Sequence, residues 1–197
     1  MTDLAKLQDA EEHVRLAALA ELLNGEAPPA PSVPAVAERL NDASGAAREL
    51  AVLVLERAGP SALPALASAL DEKQPASVRV LAASTLGRAG ENGAPAIDPL
   101  CACLGSDDDK LRWHAAFALG KIGAAAVPAL QVALRSTDPQ VSCGAADALG
   151  WIGPGANTAL KDLGTLASSP APSVRLAVHS ALAKITGDAS AGLPVLL

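Results

Sequence analysis

A dipeptide returns along this chain at a nearly fixed interval: Val14-Arg15, Ala47-Arg48, Val78-Arg79, Leu111-Arg112, Val141-Ser142 and Val174-Arg175. Their second members lie 33, 31, 33, 30 and 33 residues apart. Each opens the same phrase: small apolar residues, a Leu seven positions on, a Gly, a break, then a second apolar run ending in Leu. A period between about 20 and 50 residues marks stacked repeats, in which one unit alone cannot bury its apolar face. Because each unit meets only its neighbours, the 197 residues are expected to form one array and not two domains. The expected repeats are approximately 8–40, 41–70, 71–104, 105–134, 135–167 and 168–197.

The fourth unit shows the anatomy of all six. Ser106 to Asp109 is an acidic lead-in suited to capping a helix start. Leu111 to Ile122 reads as a first helix, A, ended by Gly123 in the left-handed turn that a C-cap uses. Val127 to Leu134 reads as a second helix, B, with Pro128 at its first turn. Numbering each unit from its Arg or Ser, position +7 is Leu22, Leu55, Leu86, Leu119, Leu149 and Leu182. Position +3 is Ala18, Ala51, Ala82, Ala115, Ala145 and Val178. Positions −1, +3, +7 and +10 form one helix face, the expected core. Gly87, Gly120 and Gly150 recur at +8 inside helix A, where Gly costs about 1 kcal/mol relative to Ala. That cost implies a close backbone approach, expected from helix B of the same unit.

The fold class is therefore all-α, a superhelix of about six helical hairpins. Leu111 to Gly123, followed by Ala126-Val127-Pro128-Ala129-Leu130, resembles the HEAT-type repeat, and more narrowly its short subclass named after the phycobilisome lyases. The resemblance implies a right-handed, armadillo-like α-solenoid. It also implies three kinds of function: bilin lyases, deoxyhypusine hydroxylases and adaptors. Hydroxylases of this kind hold two irons with His-Glu pairs at +1 and +2. Here those positions read Leu16-Ala17, Glu49-Leu50, Val80-Leu81, Trp113-His114, Cys143-Gly144 and Leu176-Ala177, and no His-Glu pair occurs in the chain. That activity is excluded, and neither a cofactor nor a metal is expected. The resemblance further implies that the recurring Arg residues form a stacking ladder, which Ser142 interrupts and loosens between the fourth and fifth units.

Other signals narrow the class. The net charge of −6 opposes the basic footprint that nucleic-acid binding needs. No unbroken apolar stretch reads as a membrane span, and the first residues lack the layout of a signal peptide. Cys101, Cys103 and Cys143 have no metal-type spacing, so they are expected to be inert thiols in a reduced, cytoplasmic setting. His13 is expected in solvent, and His179 reads as a polar replacement at +4. Leu4 to Leu7 matches the end of a helix B, and Gly192 to Leu197 the start of one. The apolar Leu193-Pro194-Val195-Leu196-Leu197 is unlike a polar capping repeat, which points to a segment of a longer array or to ends that meet a partner.

The three aromatic residues carry the functional signal. Trp113 at +1, Phe117 at +5 and Trp151 at +9 share one helix face by steps of four. Stacking is expected to bring Trp151 beside Lys121. The +9 row is mostly basic, with Arg57, Arg88, Lys121 and Lys184, and His114 faces the same groove. Trp113, Phe117, Trp151, His114, Arg88, Lys121 and Arg57 are thus the candidate site for a protein or peptide partner with acidic and apolar residues. The expected function is a non-catalytic protein-interaction scaffold. A tetrapyrrole-handling subunit of the bilin-lyase type and a structural spacer in a longer array remain open alternatives.

Overall fold

A computed structural model describes residues 3–188. Eleven α-helices follow one another among those residues, and no strand does. They are α1 (Glu12–Asn24), α2 (Val33–Glu38), α3 (Gly45–Ala58), α4 (Leu63–Ser68), α5 (Ala76–Ala89) and α6 (Ile97–Cys103). Then come α7 (Asp109–Ile122), α8 (Val127–Ala133), α9 (Pro139–Ile152), α10 (Leu160–Leu166) and α11 (Pro172–Thr186). Odd-numbered helices are the long A helices and even-numbered ones the short B helices. Successive A helices stack on one another in one layer, and the B helices form the second. The final segment, including Gly192 to Leu197 and its expected helix B, lies outside the described residues.

Local chemistry sets the helix limits. The Ser44, Asp108 and Asp138 side chains accept from the backbone N–H groups of Ala47, Leu111 and Gln140, satisfying donors that the first turn leaves free. Gly59, Gly90, Gly123 and Gly153 close the middle A helices at positive φ. Their ψ values, between −133° and −147°, are extended, so the expected left-handed cap is replaced by a conformation essentially reserved for Gly. Gly187 alone among these terminators adopts the left-handed form, at φ 73° and ψ 5°. A 3-10 turn then reverses the chain into helix B. By length and composition alone, the helical runs Gly45–Ser68 and Asp109–Ala133 are long and apolar enough to cross a membrane. Each run is broken at Gly59 or Gly123 into an A helix and a B helix.

The core follows the predicted rows. All six +3 residues are buried, and all +7 residues except the half-buried Leu182. Position +4 is a further core row, with Leu19, Val52, Ala83, Ala116 and Ala146 buried. His179 interrupts it at half-burial.

The glycines at +8 face a different neighbour from the one expected. A Cβ on Gly87 would meet Ala118 Cα at 3.4 Å, and one on Gly150 would meet Ala181 Cα at 3.1 Å. On Gly120 it would meet Trp151 Cβ at 2.7 Å. In every case the neighbour is the A helix of the next unit, not helix B of the same one. The first two units carry Leu23 and Glu56 at +8, and α3 and α5 pack least closely of all successive A pairs.

The arginine ladder is also more local than the resemblance implied. Arg15, Arg48 and Arg175 each donate through Nη1 to the carbonyls five and six residues earlier, at 2.6–3.2 Å. Arg112 donates to Ser106 O at 2.5 Å, and Arg79 donates through Nε to Leu70 O at 3.0 Å. Each therefore pins the start of its helix A to the preceding loop. Arg15 alone also forms a two-pronged pair with a carboxylate of the next unit, Asp42, at 2.8 Å on each prong. Ser142 is buried and donates weakly to Asp138 O and Pro139 O. The loosest junction is accordingly the α3–α5 step, and not the one beside Ser142.

Candidate partner-binding surface

Positions +1, +5 and +9 form the outward ridge of each A helix, because −1, +3, +4 and +7 are turned into the core. On this ridge α7 supplies Trp113, Phe117 and Lys121, and α9 supplies Cys143, Asp147 and Trp151. The Trp113 and Phe117 rings are stacked, with centroids 5.2 Å apart and planes 6° from parallel. Trp151 meets both edge-on, at 6.0 Å from Trp113 and 5.7 Å from Phe117. Such offset and edge geometries are the favoured ones for aromatic pairs. The cluster joins two units, and Gly120 makes room for it. Trp113 nevertheless remains 51% exposed and Trp151 37%.

The seven predicted site residues separate into two groups. Trp113, Phe117, Trp151, His114 and Lys121 come together. Lys121 places Nζ 5.3 Å from the Phe117 ring centroid, and His114 lies edge-on to Trp113 at 4.9 Å. Trp151 leans on Gly120, Phe117 and Trp113, so the expected Trp151–Lys121 pairing becomes a shared contact with Phe117. Arg57 and Arg88 are engaged within the chain. Arg57 donates to Leu23 O and Gly25 O at the end of α1, and Arg88 is paired with Glu56. Burial, and then the charge of Arg88, push the His114 imidazole below its ordinary pKa, which favours the neutral ring.

Beside the two tryptophans, between α7 and α9, lies a cleft of about 320 Å³, lined among others by Trp113, Cys143, Asp147, Trp151, Arg112 and Ser173. Asp147 is the residue that sequence reasoning missed. It was visible as the one acid in the +5 row of Ala20, Leu53, Ser84, Phe117, Asp147 and Ser180. Burial raises its carboxyl pKa, and Lys184 opposes that rise. Burial likewise raises the Cys143 thiol, with Asp147 and Asp138 adding to the effect and a Ser173 hydrogen bond opposing it. Cys101 is pushed up to about 11 by burial, with further contributions from Asp98 and Cys103. Burial raises Cys103 against a hydrogen bond from Arg79. These thiols are poor nucleophiles at neutral pH, as the sequence led us to expect. His13 is exposed beside Glu11.

Comparison with known proteins supports the same architecture. Two engineered proteins of known structure align with 94% and 95% of this chain, and with 95% and 100% of their own. Their identities are 21% and 22%, and their TM-scores 0.51 and 0.53. A structure described as computationally designed armadillo repeat proteins for modular peptide recognition covers 91% of this chain and 96% of its own, at 19% identity and TM-score 0.50. These likenesses concern the fold. No curated protein matches the sequence. The sequence pattern of HEAT repeats matches residues 33–111 and 97–183, spanning most of the helical array, and the chain belongs to the HEAT-repeat family.

Proposed function

We propose that this protein is an interaction scaffold that receives a protein or peptide segment along the ridge of its A helices, centred on Trp113, Phe117 and Trp151. One observation carries this reading. Five large apolar side chains are exposed among the described residues: Leu53, Trp113, Val132, Trp151 and Leu176. Four of them occupy +1, +5 or +9 of an A helix, and only Val132 lies on a B helix. Scattered exposed hydrophobes need no explanation, but apolar residues gathered on one ridge mark an interaction surface.

The spacing of the layers supports the same surface. A helices touch along the array, whereas successive B helices meet much less. In a bent two-layer stack the more closely spaced layer is the inner one, so the ridge would line the concave side. A concave surface of this kind suits an extended segment. Lys121 and Lys184, exposed at +9, favour acidic residues in that segment, and the aromatic cluster favours apolar ones.

The test is recovery of binding partners by wild-type protein and by a Trp113→Ala, Trp151→Ala variant. The expected result is a partner lost from the variant, with helicity by circular dichroism unchanged. Identical recoveries from a folded variant would overturn the proposal and favour a structural spacer.

A further inference from the structure

The cleft beside Trp113 and Trp151 has a charge character opposite to that of the +9 row. Three of its lining residues are charged: Asp109, Arg112 and Asp147. Asp109 and Arg112 are paired with each other, and Arg112 also holds Ser106 O. Asp147 accepts no hydrogen bond and forms no ion pair among the described residues. Lys184 acts on it electrostatically and forms no ion pair with it. The carboxylate thus sits half-buried beside two exposed indoles, with no direct partner and only the longer-range field of Lys184 to offset its burial. Desolvating a carboxylate without a partner is unfavourable, and an incoming cation relieves that cost. Indole faces add attraction for the same charge and cover the aliphatic stem that carries it.

We propose that this cleft seats one cationic side chain, an arginine or a lysine of the partner segment, with its charge at the Asp147 carboxylate and its stem against Trp113 and Trp151. This rests on the interaction reading above and adds a basic residue to the apolar and acidic ones expected elsewhere along the ridge. The volume of about 320 Å³ admits one such side chain and not a folded element.

The chain has two Trp and no Tyr, so its intrinsic fluorescence reports on this cleft and the aromatic cluster at its edge. Hexa-arginine, hexa-lysine and hexa-glutamate would be titrated into the wild-type protein and two variants, with tryptophan emission as readout. Asp147→Asn removes the proposed counter-charge and keeps the shape. Glu72→Gln removes the same charge from an exposed loop and measures the general attraction of an acidic protein for polycations. The expected result is binding of the basic peptides, weakened about tenfold by Asp147→Asn and hardly changed by Glu72→Gln. Equal effects of the two variants would overturn the assignment, as would hexa-glutamate binding as tightly as hexa-arginine. The two readings fail separately. A partner lost from the tryptophan variant but retained by Asp147→Asn leaves the ridge standing and removes the cation. A partner retained by both removes both.

Discussion

Single residues at +8 and +5 set how the central units meet. At Gly120 an added methyl would lie 2.7 Å from Trp151 Cβ, closer than two carbons can approach, so α9 must move. Gly120→Ala should therefore lower stability by about 1–2 kcal/mol, the overpacking cost exceeding the gain in helix propensity. Gly87→Ala meets its neighbours at 3.4–3.5 Å, ordinary contact, and should be neutral or slightly stabilising. Urea denaturation of the pair checks the contrast, and the Gly120 variant should also shift tryptophan emission. Asp147 makes a prediction of opposite sign to most carboxylates. Its raised pKa means that the folded state binds its proton more tightly than the unfolded chain does. The stability this group contributes is present below the ordinary aspartate value of about 4 and is lost as pH rises through the elevated folded value. Asp147→Asn should therefore raise Tm at neutral pH and lose that advantage in acid, as thermal melts across that range would show.

The elements are held to one another by few polar bonds, and the strongest ties α1 to the loop before α3. Asp42 is buried, takes both prongs of Arg15, and accepts from Ser44 N–H at 3.0 Å where α3 begins. The Arg15 hydrogen bonds hold its carboxyl below the ordinary range against the opposing pull of burial, with Ser44 and Arg39 assisting. Asp42→Ala should lower stability, because it removes both carboxylate prongs from Arg15 and the acceptor of Ser44 N–H. In the wild type this contribution is present above the ordinary aspartate pKa and is lost as pH falls through the depressed folded value. Acid titration of stability, with and without the substitution, would show that difference. Much at this scale was legible in the chain. Helix starts, the Gly stops and the core rows follow from caps and period, since those are local rules. The partner of the +8 glycines was not legible, because a missing side chain announces a close approach without saying which helix arrives. The aromatic face was legible from steps of four. Asp147 was passed over because one acid in a row of small residues looks like ordinary solvated surface until burial is known.

Across the whole molecule the stacking is uneven, closer where +8 is Gly and loosest at the α3–α5 step. Gly87, Gly120 and Gly150 let α7, α9 and α11 approach closely, whereas the A helices that carry Leu23 and Glu56 at +8 pack less closely on the next. In a linear repeat array stability is a sum of unit and junction terms, so the weakest junction sets where the array opens. Amide hydrogen exchange should therefore show α1 to α4 exchanging together and faster than α7 to α9, with the boundary at α3–α5. Uniform protection from α1 to α9 would contradict this. The same unevenness has a mechanical meaning. An array of this kind is a spring, and the glycine row makes its coils unequally stiff. Strain applied by a bound ligand would gather at the compliant α3–α5 coil, while the stiff coils around Trp113 and Trp151 would keep their curvature and the shape of whatever they grip.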